Sequence, residues 1–299
     1  MSMERIIECV PNFSIGANEQ NIAPIVDSIR LANPDVKVLD YSYDKDHGRL
    51  VVTIIGDGSG LIDAVYQGVK KAVELVNIKS HTGVHPCMGV VDVIPFVPLR
   101  KATFNDCVKL RNDISKKISE ELGIPIYIYG NIAKLPERKE LSSVRKGGIE
   151  GITERICTPE GKPDFGPQKV HATAGAIAIG TRDILIAFNV NLLTKDLQIA
   201  KEIAEKIREK NSGLRGIRAI GVLLESREMA QVAINITNYM STSIKETFDA
   251  VSAQAALKDV KIFGSEIIGL IPKEAGFEGM EKYLKLEEWD GKRIIENFL

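Results

Sequence analysis

Hydrophobic residues in this chain switch between alternate spacing and helical spacing in one definite order, and that order occurs twice. The first half reads as a strand at Ile6 to Val10 and a helix from about Glu19 to Arg30, with Ile22, Ile25, Val26 and Ile29 on one side. Two strands follow, Val36 to Leu39 and Leu50 to Ile55, joined by the polar turn Asp44-Lys45-Asp46-His47-Gly48. Next come a helix carrying Val65, Val69, Val73 and Val76, with Ser59 as its expected cap, and a strand at Val90 to Val97. Strand, helix, strand, strand, helix, strand is the split βαβ or ferredoxin-like order. One more helix is expected to start at Thr103, with Asp106 at its third position, and to stop at Gly123 before a strand at Ile126 to Tyr129.

The second half repeats the order: strand Ile184 to Val190, helix Asp196 to Lys210, strands Ile217 to Leu224 and Ala230 to Thr237, helix Ser243 to Leu257, strand Ile262 to Ile271. The expected fold class is therefore α/β (α+β), with two ferredoxin-like βαββαβ subdomains at residues 1–180 and 181–299. The stretch from Gly151 to Gly180 holds Pro159, Pro163, Pro167 and several glycines without sustained periodicity, and reads as a long functional loop.

Charge narrows the function. Lys and Arg total 39 against 40 Asp and Glu, so the net charge of -1 gives no general nucleic-acid footprint. No stretch approaches the 18 or so uncharged residues of a membrane span, and a cytoplasmic protein is expected. The four cysteines are widely spaced, which argues against structural disulfides and zinc.

All four histidines, His47, His81, His85 and His171, fall in expected turns or loops, which suggests one shared site. Gly83 between His81 and His85, and Pro86 after them, argue against the helical two-histidine metal arrangement, so no metal is expected. A histidine ahead of a strand can instead move a proton near neutral pH, with Asp92 or Asp40 available to orient it. The glycines of the stretch from Asp164 to Gly180 allow close approach of a planar ligand, and Lys169 and Arg182 can meet its anionic groups. The spacing there matches neither phosphate-binding nor dinucleotide-binding glycine patterns, so no nucleotide cofactor is indicated.

Four blocks, Glu8-Cys-Val-Pro-Asn-Phe-Ser14, His81 to Pro98, Pro163-Asp-Phe-Gly-Pro167 and Ile186-Ala-Phe-Asn-Val-Asn-Leu-Leu193, resemble the glutamate formiminotransferase family. The same family supplies the N-terminal part of bifunctional formiminotransferase-cyclodeaminases. The resemblance runs from residue 6 to Glu296. It implies facing sheets with outer helices, a folate tunnel, a homodimer, and tetrahydrofolate as co-substrate. It also implies that His85 is catalytic and that Gly166, Pro167, Lys169, His171, Thr173 and Gly175 line the folate site. His47, Arg49, His81 and Arg182 are counted among the substrate-binding residues, and Arg145 is a further candidate anion clamp. Cys87 stands where the family usually has arginine, which leaves the donor open. The expected reaction is formimino transfer from N-formiminoglutamate to tetrahydrofolate. The alternatives are formyl transfer between 5-formyltetrahydrofolate and glutamate, or a folate-binding paralogue without catalysis.

Overall fold

The computed structural model describes residues 5–299, and the chain divides into two compact units, one ending at Arg182 and the other beginning at Asp183. In the first unit β1 (Ile7–Cys9) and β2 (Asn12–Ser14) share one place in the sheet, each antiparallel to β4 (Arg49–Gly56) and to β5 (Val91–Pro98). Pro11 separates them because it has no N–H to give to the ladder. Helix α1 (Ile22–Arg30) follows a single 3₁₀ turn, and β3 (Lys37–Asp44) pairs with the outer side of β4. The resulting sequence across the sheet, β3, β4, β1/β2, β5, is the split βαβ arrangement expected from the hydrophobic pattern. Helix α2 (Gly58–Leu75) is capped by Asp57, whose side chain accepts the Gly58 N–H. Ser59 lies inside the helix, so the expected cap is corrected by two residues: Asp57 takes extended backbone and Ser59 does not.

Helix α3 (Phe104–Leu122) begins with the expected capping box of Thr103 and Asp106 and ends at Gly123 in the left-handed conformation. After it the sheet gains two strands in the order β5, β7 (Ile177–Thr181), β6 (Ile126–Gly130), all parallel. The chain between β6 and β7 forms α4 (Leu141–Val144) and α5 (Gly148–Arg155). Strand β7 and most of α5 fall in the stretch read from sequence as a loop. The reason is physical: a central parallel strand buried on both faces shows no polar alternation, and Ala176-Ile177-Ala178-Ile179-Gly180 has none.

The two faces of this sheet are covered differently. Helices α1, α2 and α3 pack on the face that carries Leu50, Val52, Ile54, Ile94, Phe96, Ile128 and Ile179. On the opposite face α4 and α5 place Val144 and Ile152, with Ile156 after them, over Val93, Tyr127, Tyr129, Ala176 and Ala178. The strand residues of that cluster come from β5, β7 and β6. By alternation, β4 and β2 carry Arg49, Asn12 and Ser14 on the same face.

The second unit contains β8 (Ile186–Leu192), α6 (Leu197–Ile207), β9 (Ile217–Leu224), β10 (Met229–Ile236), α7 (Ile244–Ala256), β11 (Ile262–Ile268) and α8 (Met280–Leu284). Its sheet order, β11, β8, β10, β9, is a complete antiparallel βαββαβ sheet. Phe188, Val190, Ile203, Ile234 and Phe248 fill the core between sheet and helices. On the alternate positions Gln231 donates to Asn191 at 2.8 Å, and Asn191 donates to Glu266 at 2.8 Å and Glu287 at 2.5 Å. Arg227 bridges Glu266 and Glu287.

Each unit has a helix that starts with a capping box, Thr103 with Asp106 in one and Ser243 with Glu246 in the other. Thr103→Ala and Ser243→Ala should each cost about 1 kcal/mol. Urea titration with hydrogen exchange should place the first loss in α3 and the second in α7.

Candidate functional site

The site is built where two turns interlock at one end of the first unit's sheet. The turn between β3 and β4 carries His47, whose backbone N–H donates to Asp44 at 2.8 Å, and leads into Arg49. The loop before β5 carries His81 and His85, and its Val84 N–H donates to the Asp46 carbonyl at 2.9 Å. Gly83 allows this approach, since a Cβ there would stand 2.1 Å from the His47 carbonyl oxygen. Sequence spacing gave no sign of this contact, because the two turns are more than thirty residues apart.

Asp92, at the start of β5, is buried and fixes the loop from below. It accepts the Met88 N–H at 3.1 Å and Arg145 at 2.8 Å. Arg145 follows α4, so the helical cover on β5, β7 and β6 delivers its guanidinium to the site. The same nitrogen donates to the Pro86 carbonyl at 2.9 Å. Burial raises the Asp92 pKa, while Arg145, the Met88 N–H and Arg49 lower it.

His85 is half-buried, and its Nε2 lies 3.2 Å from Arg49 Nη1. Burial lowers its pKa well below 6.5, and the positive charges of Arg49 and Arg145 and the neighbouring His47 push the same way. The rings of His47 and His85 are 6.0 Å apart. Arg49 is itself pushed down to about 10, by burial first and then by Arg145, with Asp92 and Asp44 opposing. His81 keeps both ring nitrogens out of solvent without a hydrogen-bond partner, and burial lowers its pKa against the pull of Asp92. The Cys87 thiol is pushed up to about 11, mainly by burial and then by Asp92, so it is no activated nucleophile.

His171, Thr173 and Gly175 join the site through backbone. Gly89 bridges Gly175, the Val90 N–H donates to the Ala174 carbonyl at 2.9 Å, and the Ile78 N–H donates to the Thr173 carbonyl at 2.8 Å. Gly175 has φ +76 and lies so close to the other loop that a Cβ would be 2.5 Å from the Met88 carbonyl oxygen. His171 Nδ1 accepts the Ala174 N–H at 3.0 Å, closing its own turn and leaving only Nε2 for a ligand. Gly166, Pro167 and Lys169 are exposed. They follow Asp164, which is anchored by the Ile128 N–H at 2.8 Å and by Arg138 at 2.7 Å.

Asp40, expected to orient the histidine, and Arg182, expected to meet anionic groups of the ligand, stand farther along the sheet. Asp40 sits on the edge strand β3 opposite Thr53, four residues along β4 from the Arg49 that contacts His85, roughly 13 Å of strand. Arg182 follows β7 and donates its backbone N–H to Phe96, four residues along β5 from Asp92, which is about 13 Å of strand. Its charge acts on Glu8 and Tyr129 instead. Glu8 is a residue that sequence reasoning passed over. It is buried, and desolvation raises its pKa to about 7 against the opposing charge of Arg182. The signal available was a carboxylate placed directly between apolar neighbours in a short strand. Among the described residues, no group of three or more His, Cys, Asp or Glu is arranged to hold a metal ion, and no helix is long and apolar enough to cross a membrane.

The arrangement presents a neutral imidazole among cationic groups, fit to accept a proton and return it. Because its folded pKa lies below the unfolded value, the folded state takes up the proton less readily. His85 therefore contributes stability above about pH 6.5 that is lost as pH falls from there through the folded value. NMR titration of the ring should show it neutral at pH 6.5, and the acid limb of any His85-dependent rate should lie below that pH.

Comparison with known proteins places this geometry in context. A family model described as the N-terminal subdomain of the formiminotransferase domain matches residues 6–182, and one described as the formiminotransferase domain matches residues 187–296. The glutamate formimidoyltransferase of Streptococcus pyogenes serotype M1 is 43% identical over 298 residues, covering 99% of each chain. That of Thermoplasma acidophilum is 41% identical, covering 97% of this chain and 96% of its own. The formimidoyltransferase-cyclodeaminase of Gallus gallus is 35% identical over 96% of this chain, which corresponds to 54% of that protein.

Proposed function

The chain belongs to the formiminotransferase family, and from that footing we propose that it is a folate-dependent transferase that moves the formimino group of N-formiminoglutamate to tetrahydrofolate. The observation that carries this reading is the match of both formiminotransferase models, in order, together with near-complete mutual coverage of relatives named glutamate formimidoyltransferase. Folate enters as co-substrate. A cytoplasmic homodimer is carried over with the family.

The chemistry needs one group to act twice. N5 of the reduced pterin loses a proton as it attacks the formimino carbon, and the glutamate nitrogen gains a proton as its bond to that carbon breaks. A single imidazole between the two nitrogens can serve both needs, provided it begins neutral. His85 satisfies that condition through burial and its cationic neighbours. Asp92 and Arg145 act as positioning residues, holding the backbone on either side of Cys87 so that the ring is presented in one place. The remaining acceleration comes from aligning two substrates. The folate site is assigned to the stretch from Gly166 to Gly175, whose far end is paired with the loop that carries His85.

Cys87, at the family's usual arginine position, does not leave this site without guanidinium charge. Arg49 and Arg145 both act on His85. The departure thus favours no change of donor, and formyl transfer stands as an outcome of the test.

His85→Ala should lower turnover by roughly 100-fold or more, the usual scale for a positioned acid–base group, while circular dichroism and folate binding stay close to the parent protein. The assay supplies tetrahydrofolate with N-formiminoglutamate and, separately, 5-formyltetrahydrofolate with glutamate, read by folate absorbance. Near-normal transfer by a folded His85→Ala protein would remove His85 from the mechanism, and activity with the formyl pair alone would replace the donor.

A further inference from the structure

Arg49 has an unusual set of partners for a largely desolvated guanidinium. It reaches Asn12 Oδ1 at 3.4 Å and His85 Nε2 at 3.2 Å, both uncharged acceptors, and among the described residues no carboxylate oxygen lies within 4.0 Å of it. Arg145, by contrast, has the Asp92 carboxylate at 2.8 Å, and Arg227 in the second unit bridges two carboxylates. A buried cation held only by neutral groups has more to gain from an arriving anion than one already paired.

The contact with His85 also settles the ring. A guanidinium only donates, so Nε2 must be the nitrogen that carries the lone pair, and the proton sits on Nδ1. That lone pair is the one a general base has to use. In the free protein it is occupied by an N–H of Arg49.

We propose that Arg49 is a substrate-operated gate on His85: it caps Nε2 in the free protein, and the carboxylate of the arriving donor draws it away and releases the base. The inference rests on the assignment of His85 as the acid–base group of formimino transfer. A planar, bidentate pair with a carboxylate is stronger than one long bond to an imidazole, so the exchange runs toward the donor. Donor binding and base activation are then one event, and a molecule without a carboxylate would leave the base capped.

The charged and titratable groups around the ring are Arg49 from β4, His47 from the β3–β4 turn and Arg145 from beyond α4. Asp92 on β5 is engaged by Arg145, and His81 belongs to the same loop as His85. Of the two guanidiniums, only Arg49 touches Nε2. When a carboxylate neutralises it, the ring loses one of its repulsive neighbours and becomes more basic.

The test is a pH titration of the histidine rings by NMR in the full-length protein, with His85 assigned by His85→Gln and L-glutamate as the probe. Glutamate should raise the His85 pKa by about one unit or more and change the Nε2 nitrogen signal. Arg49→Ala should show the raised value without glutamate and no further shift on its addition. If that variant does not fold, Arg49→Gln serves the same comparison. Failure of glutamate to bind, binding that leaves the parent protein's His85 titration unchanged, or a glutamate shift that persists without Arg49 each overturns the proposal. Transfer activity is measured separately. An active enzyme with an unmoved His85 refutes the gate alone, and a moved His85 in a protein without formimino transfer refutes the reaction alone.

Discussion

A carboxylate removed from water holds the candidate site together. Asp92 is 1% exposed, and its oxygens are satisfied by one backbone N–H and one guanidinium. Breaking such a pair from either side leaves the other charge buried, a cost on the order of 3–5 kcal/mol. The pair does more than balance charge. Arg145 spends the same nitrogen on Pro86, so β5, the loop carrying His85 and the segment after α4 form one mechanical piece. The lowered pKa of His85 depends on this pair in part: burial acts first and Arg49 second, and Arg145, held by Asp92, adds to both.

The two units show how one sheet pattern can hold polar groups in opposite conditions. In the second unit Asn191, Gln231, Glu266, Glu287 and Arg227 satisfy one another, and such closed networks are rigid. In the first, Arg49 has only neutral partners, His81 has two buried nitrogens without any, and the Glu8 pKa is pushed up to about 7 by burial. Unmet polar capacity of this kind is expensive in a folded protein and collects where ligands bind.

The sequence was most legible where a segment alternates or repeats against solvent. The βαββαβ order of both units, the capping box at Thr103 and the stop at Gly123 all have local causes, and the structure has them. Strand β7 was illegible because both of its faces are buried and its residues are small, so no period distinguishes it from a glycine-rich loop. For the site, His85 and Asp92 could be read as neighbours because only six residues separate them. The interlock of His47 with Gly83, the arrival of Arg145 and the pairing of Gly89 with Gly175 depend on long-range packing. For Asp40 and Arg182 residue type suggested a role, and only strand order shows which end and edge of the sheet each occupies.

The place of β7 between β5 and β6 affects how the first unit comes into being. β5 is made early, yet its neighbour on that side is made about eighty residues later, after β6, α4 and α5 have left the ribosome. Until β7 arrives, β5 and β6 have open edges facing each other with nothing to join them, the kind of unpaired strand that attracts other chains. Closing that gap is a long-range step, and long-range parallel pairing is slow. The turn that ends at Gly175 sits immediately ahead of β7, so the insertion that completes the sheet also delivers the last wall of the site. A nascent chain halted before residue 173 would carry His85 without the Thr173–Gly175 backbone that its loop pairs with.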